Sequence, residues 1–504
     1  MKKKMEKNIR ILTCFVVVFF ILSIVAFCPS TPFAAKPAKT EKTAKADKAV
    51  KGSMADKFPK PLAAYDVNKM GDVSDFDPAH WVPPTGDTIK IAYFNAFSGP
   101  GAINGQIHLA PIIFAAHDIN KRGGIMVDGK RKMIEVIAAD TMSKPDQTKK
   151  ICERMVLQEK VQFLMGTSGS NLMKVINEVA NKYKVIAVNE GALSDDLMDA
   201  TNFNRYAFMP SPGTDQIGRG MAYYYGQIRK KEKKFYIICQ DYSFGRAMAD
   251  GFKRGLKEYY PEAQIVGEDY HKLFLTDFAP YLTKIKASGA DVIYTGDWVP
   301  DSSNLLKQAR QMGITVPIAN LFMNEPNSLH EAGIEGTKGL VHIDIYDMPV
   351  PFKFYPPYIK FYEAWNKQWK KWKTPPYNSH LFEHGATTSI GLYGQHAYWL
   401  FSVIERAGST DPEKIIKVWE GDTYRYANGS TVKMRACDHK AIQDFSVTEY
   451  VPPEQQKISM TIPPYYWFKG ASAAGPAWLI PAEKVLPIMD QKLDRCKGKN
   501  DWGE

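Results

Sequence analysis

Three things are scarce or missing in this sequence, and each narrows its function. Cysteine is sparse: six residues in 504, two of which (Cys14 and Cys28) fall inside the first apolar stretch. The other four, Cys152, Cys239, Cys437 and Cys496, show no spacing typical of a zinc site. After Cys28, no stretch is long and apolar enough to cross a membrane. Excess charge is also missing from the body of the chain. The formal net charge is +11, but residues 1–60 hold thirteen Lys/Arg against four Asp/Glu, leaving the remainder a net of only +2. The basic character belongs to the leader, so it gives no support to nucleic-acid binding.

What is present starts at the N-terminus. Lys2, Lys3, Lys4, Lys7 and Arg10 precede an uncharged apolar run over residues 11–28, followed by Pro29 and Ala34-Ala35. A basic start, an apolar centre and small residues beyond describe a secretory signal, so residues 1–35 read as the signal peptide of an exported protein. The apolar run is about long enough to span a bilayer, which leaves an uncleaved anchor as the alternative. Lipidation at Cys28 is disfavoured, because the bulky Phe27 stands where a small residue is wanted. Residues 36–86 read as a leader or linker. The part up to residue 60 is rich in Lys, Ala and Thr and has too little apolar surface to offset the entropy of ordering. An oxidising compartment permits disulfides. Cys152 lies in a helical pattern and Cys239 in an apolar strand, both compatible with buried thiols, so Cys437 with Cys496 is the favoured pair.

About 420 residues remain, enough for two domains with separate cores. From Thr88 the pattern is strand, loop, helix, repeated. IKIAYF (89–94), MIEVIAAD (133–140), VQFLMG (161–166) and VIAVNE (185–190) are apolar strands separated by segments of helical periodicity. The rhythm restarts after the loop PSPGTDQ (210–216), with strands KFYIICQD, AQIVGEDY, DVIYTGD and PIANLF. Two such runs predict an α/β protein of two doubly wound, Rossmann-like lobes with a ligand cleft at the carboxyl ends of their strands.

Several segments resemble the branched-chain amino acid (leucine/isoleucine/valine)-binding family of type I periplasmic binding proteins. IKIAYFNAFSGPGAINGQ is similar to its opening strand, Ser-Gly-Pro turn and helix start, and HDINKRGGI to the end of its first helix. DTMSKPDQTKKICERMVLQEKVQFLMGTSGS resembles its second strand–helix–strand passage. MRACDHKAIQDFSVTEYV (434–451) resembles the Arg…Asp-His segment near its end. The likeness covers roughly residues 87–455 in order. It implies two lobes joined by a three-strand hinge, with crossovers near residues 209–214, 338–350 and 420–432. Residues 87–209 plus 345–420 would form lobe 1, residues 210–344 plus 430–455 lobe 2, and residues 456–504 a C-terminal extension.

The candidate site follows from strand ends and from the same resemblance. GTSGS (166–170) stands between a strand and a helix, and helix N-termini suit a ligand carboxylate. The family holds a carboxylate at this turn, which points to Ser170 and Asn171 with Ser168 nearby; the rival role for Ser170 is helix capping. NEGALSDDL (189–197) is similar to the next binding turn, implying contacts from Gly191, Ala192 and Leu193. Leu193 stands where a Thr hydroxyl is usual, unless Ser194 substitutes. In the second lobe the resemblance places Phe244 and Trp298 as aromatic walls and Glu325 as partner of a ligand ammonium, with Asp297 a rival. Asn104 and Phe97 are wall residues from the first loop. Such a pocket suits an amino acid or an aromatic or aliphatic carboxylate.

Two motifs favour enzymes. Gly99, Gly101 and Gly105 follow a strand, but their spacing is one residue too long for a dinucleotide fingerprint, and Asp140 lies too far on. His380, Glu383 and His384 fit H-x-x-E-H, a zinc peptidase pattern, without a clear downstream ligand helix. The expectation is therefore a non-enzymatic, monomeric, periplasmic binding protein with no cofactor and no metal, partnered by a small-molecule ligand and an ABC permease. A ligand-sensing receptor of the same fold is the alternative.

Overall fold

A computed structural model describes residues 51–324, 326–345, 356–379, 381–382, 393–452 and 473–504. The first lobe is built on five parallel strands in the spatial order Ile134–Asp140, Ile89–Asn95, Phe163–Gly166, Ile186–Asn189, Ala207–Phe208. Numbered along the chain this is the order 2-1-3-4-5 of a doubly wound sheet. Helices Ala102–Lys121, Pro145–Leu157 and Ser170–Tyr183 connect the strands. Coverage on both faces explains why these strands are apolar runs without in/out alternation; in Phe163–Gly166 and Ile186–Asn189 every residue is buried.

The second lobe repeats the plan. Its strands run Gln264–His271, Lys234–Gln240, Val292–Thr295, Ile318–Asn320, Leu340–Asp344, all parallel and again 2-1-3-4-5. Two antiparallel strands, Phe445–Val451 and Ala473–Ile480, extend the sheet. Between the lobes the chain returns through a small sheet ordered Ala63–Ala64, Thr423–Arg425, Thr431–Met434, Ala441–Gln443. There the Arg…Asp-His segment has a structural role. Arg435 is fully buried, pairs with Asp438 and donates to the carbonyls of Pro487 and Asp501 at 2.7 Å. His439 stacks on Phe208 at 4.1 Å and shares its ring nitrogens with the Ala207 carbonyl and Glu420.

Both chain ends differ from the reading of residues 36–86 as a linker and of residues 456–504 as an appendage. Ala63–Ala64 pairs in parallel with Tyr424 and Arg425. Tyr65, Val73 and Phe76 are buried, with Phe76 against Phe114 at 5.1 Å and Trp372 at 5.8 Å, and Tyr65 against Tyr398 at 4.8 Å. The Asp444 carboxylate accepts from the backbone of Met54 and of Ala482, tying both end segments to the junction between strands Ala441–Gln443 and Phe445–Val451. Polar composition hid this: a few aromatics, each well placed, anchor a segment whose average looks unfoldable. At the other end, Ala473–Ile480 is a strand of the second sheet, and Cys496 closes a disulfide to Cys437 with Cα atoms 5.2 Å apart. Cys152 and Cys239 are buried free thiols. The signal segment and residues 453–472 lie outside the described residues.

Two outcomes follow for stability. Phe76→Ala should cost about 3–5 kcal/mol, as for other buried aromatics, read as a lowered denaturant midpoint. Cys437→Ser should cost about 4 kcal/mol, the loop-closure value for bridging 59 residues; an unchanged midpoint would mean that the tail docks without the bridge.

Candidate ligand-binding site

In a doubly wound sheet, the connections leaving two neighbouring strands at the order reversal go to opposite faces, and a crevice opens between them. In the first lobe this point lies between Ile89–Asn95 and Phe163–Gly166; in the second, between Lys234–Gln240 and Val292–Thr295. Segments that follow these strands and their neighbours carry most of the walls of a cleft enclosing about 570 Å³, its open mouth included. Asn104, Ile107, His108, Ser168, Gly191 and Tyr393 line it from one side; Tyr242, Phe244, Trp298, Val299, Phe322 and Asn324 line it from the other.

Helix Ala102–Lys121 begins hard against the end of strand Ile89–Asn95. A side chain at Gly105 would place its Cβ 2.0 Å from the Ala96 carbonyl oxygen, so only glycine permits this approach. The consequence is that Asn104 and His108, four residues apart on one helix face, both reach the cleft. The Asn104 side-chain amide donates to the Val299 carbonyl at 3.3 Å, a hydrogen bond from one lobe to the other.

The first lobe's wall is a connected polar network. Asn95 donates to the Ser168 hydroxyl at 3.0 Å and to the Tyr93 phenol at 2.9 Å. Tyr93 in turn donates to Glu190 at 2.9 Å. His108 Nδ1 stands 3.1 Å from the Glu190 carboxylate, and its Nε2 stands 3.4 Å from Ser168 Oγ. Glu190 is completely buried. Burial, and then the neighbouring Glu190, push the Tyr93 phenol far above its ordinary range, so it remains a donor. Burial holds the His396 imidazole down at about 3, so it stays neutral; its Nδ1 donates to the Glu190 carbonyl.

The opposite wall is aromatic. The Trp298 indole N–H donates to the Tyr242 hydroxyl at 2.8 Å, fixing the two rings to each other. Phe244 lies 5.9 Å from Tyr242 and 6.2 Å from Phe322, and Phe274 meets the Trp298 ring edge-on at 5.7 Å. Behind this wall His271 and Asp297, both buried, pair at 2.8 Å; burial opposes the imidazolium most strongly, but the bond to Asp297, its charge and the Lys272 carbonyl together outweigh it and raise the His271 pKa. Burial also raises the Asp301 carboxyl to about 6.

Of the residues predicted from sequence, Asn104, Ser168, Gly191, Phe244 and Trp298 line the cavity together. Ser170 and Asn171 are not among its lining residues. Ser170 is fully buried and its hydroxyl takes up the Ser194 backbone N–H at 3.4 Å, while Asn171 is exposed on the first turn of its helix. Ala192 and Leu193 point into the hydrophobic cores. Ser194 is buried against Asp196, and Phe97 packs on Tyr93 at 6.2 Å. Asp297 holds His271 through Oδ2 and is not among the residues lining this cavity. Glu325, and with it His380, Glu383 and His384, lies outside the described residues. Sequence reasoning missed His108, Tyr242, Phe322, Asn324 and Tyr393. The helical spacing from Asn104 could have indicated His108; Tyr393 comes from a distant segment and had no local signal. Among the described residues, one group of potential metal ligands comes together, Cys437, Asp438 and Cys496, and its two sulfurs are bonded to each other.

Two facing doubly wound lobes with a cleft at both switch points define a periplasmic binding protein of type I. The chain belongs to this family: the profile of the periplasmic binding protein family matches residues 88–456. It is 26% identical over 267 residues to the Leu/Ile/Val-binding protein homolog 4 of Brucella abortus, an alignment covering 49% of this chain and 59% of that protein. This chain thus spans about three fifths of the length of that relative. A leucine-, isoleucine-, valine-, threonine- and alanine-binding protein of Pseudomonas aeruginosa is 24% identical over 373 residues, 72% of this chain and 90% of that one. A solute-binding protein of an R. palustris ABC transporter, solved with 4-hydroxybenzoate, shares the fold with a TM-score of 0.61 at 20% identity, covering 78% of this chain and 97% of that one.

Gly191 offers a direct check of the wall. A Cβ there would sit 2.9 Å from His108 Cε1 and 3.3 Å from Tyr393 Cε1. Gly191→Ala should therefore displace the His108 and Tyr393 rings, which stack with centroids 3.5 Å apart, and cost about 1–3 kcal/mol, measured by chemical denaturation. A variant as stable as the parent, with unshifted His108 ring resonances, would show that the wall is not tightly packed.

Proposed function

We propose that this protein is the extracytoplasmic solute-binding component of an ABC importer. It captures a small carboxylate with an apolar or aromatic body between its lobes and delivers it to a membrane permease. The observation that carries this reading is the cleft itself: two switch points face each other, one presenting hydrogen-bonding groups and the other a wall of aromatic rings. The relatives support the ligand class, since one is named for aliphatic amino acids and another was solved with an aromatic acid. The basic, then apolar N-terminus supports export. Among the described residues no helix is long and apolar enough to cross a membrane.

No chemistry is required. A ligand that touches both walls binds the closed arrangement more tightly than the open one, and that difference drives closure. The Asn104 bond to Val299 is then part of the closed state. Ser168, Asn104, Phe244 and Trp298 act as ligand contacts, joined by His108, Tyr242, Phe322, Asn324 and Tyr393.

Thermal shift of the full chain against leucine, phenylalanine, benzoate and 4-hydroxybenzoate tests this. At least one should raise the melting temperature in a concentration-dependent way, as linkage requires. Trp298→Ala should weaken that ligand by about tenfold or more without unfolding the protein, the scale of one lost aromatic contact. No shift with any carboxylate or amino acid would overturn the reading.

A further inference from the structure

Behind the first lobe's wall stands a fully buried carboxylate, Glu190, that is not among the residues lining the cavity. Both Glu190 oxygens lie within 3.2 Å of His108 Nδ1, and one also accepts from Tyr93. A carboxylate this deep stays charged only if it is paired and hydrogen-bonded. The pairing fixes the imidazole on every side except one. Nδ1–H is held by Glu190, one ring face is stacked on Tyr393 at 3.5 Å with 18° between planes, and Gly191 closes against Cε1. What is left is Nε2, at the cavity wall beside the Ser168 hydroxyl.

With Nδ1–H committed, Nε2 accepts when the ring is neutral and donates when it is protonated. The other titratable groups around it do not share this freedom. Tyr93 comes from the neighbouring strand and keeps its proton, because burial and Glu190 both raise it. His396, from helix Gln395–Ala407, is held neutral by burial. Tyr393 precedes that helix and presents its ring face, and Glu190 is the negative partner. The described lining residues include no lysine or arginine. His108 is thus the group able to bring positive charge to the described wall.

We propose that His108 is the carboxylate-binding group of the cleft and that it takes up a proton when an anionic ligand enters. Nε2–H donates to one ligand oxygen and the Ser168 hydroxyl turns from Asn95 Oδ1, 3.2 Å away, to donate to the other, while Glu190 holds Nδ1–H and steadies the imidazolium between two carboxylates. The proton comes from solvent, and no bond to the ligand is made. The inference rests on the cleft being a ligand trap and specifies how that trap recognises its substrate class. Affinity for a carboxylate then rises as pH falls, until the ligand itself becomes protonated. A neutral amide of the same shape has no such dependence.

Calorimetric titration of the full chain with 4-hydroxybenzoate, phenylacetate and leucine, each in two buffers of different ionisation enthalpy at about pH 8, counts the protons exchanged on binding. The expected result is uptake of up to one proton by whichever carboxylate binds. Its affinity should fall by as much as tenfold per pH unit between ~pH 6 and ~pH 8, the limiting slope for one linked proton. His108→Gln should abolish both the uptake and the slope, and 4-hydroxybenzamide should show neither. The wild-type proton count needs no variant, so it decides the matter even if His108→Gln fails to fold. Carboxylate binding without proton uptake and with a flat pH profile overturns the role of His108 and leaves the ligand trap standing. No binding by any carboxylate removes both.

Discussion

The reversal of strand order in each sheet is the constraint on which the rest of this molecule depends. Where neighbouring parallel strands send their connections to opposite faces, the backbone leaves a crevice that side chains must fill or line. The chain makes this arrangement twice and sets the two crevices against each other. Every residue lining the cavity except Tyr393 belongs to a segment that follows a sheet strand; Asn104, Ser168, Tyr242 and Trp298 follow the two strands at each reversal. The cleft is therefore a property of topology first and of side chains second.

Side chains then divide the labour between the lobes. One wall holds a buried acid, an imidazole, two amides or hydroxyls and a phenol in a single hydrogen-bonded network; the other holds aromatic rings braced by the Trp298–Tyr242 bond. Each polar group of the first wall is already oriented before a ligand arrives, which lowers the entropic cost of recognition. The aromatic wall supplies contact area with few rotatable bonds. Asn104, reaching from the polar wall to the backbone beneath the aromatic one, couples the two.

The chain ends serve the same geometry from a distance. Tyr65 and Phe76 are buried against Tyr398 and Phe114, the last described strand widens the second sheet, and Asp444 ties both ends to the junction between two strands. Arg435 and the Cys437–Cys496 bridge pull the tail over the crossover segment.

Much of the architecture was legible in the chain because burial on two faces makes parallel strands continuously apolar, a local signal that IKIAYF and VIAVNE carry openly. Ser168, Phe244 and Trp298 also stand just past strand ends, but it was the resemblance to the branched-chain amino acid-binding family that marked the two aromatics as walls of the site. Ser170 and Asn171 were expected there too, but the helix starts at Ser170, whose hydroxyl accepts from the Ser194 backbone, while Asn171 in the same first turn is exposed. The anchoring of residues 63–76 was hidden, because two aromatics do not change the mean polarity of a segment. The sequence by itself determined the alternation of elements, the fold family and the strand-end positions, since these depend on neighbours in the chain. Only the tertiary structure decided that His108 sits between Glu190 and Ser168 with Tyr393 on its face, because those partners lie 82, 60 and 285 residues away and no local pattern encodes their meeting.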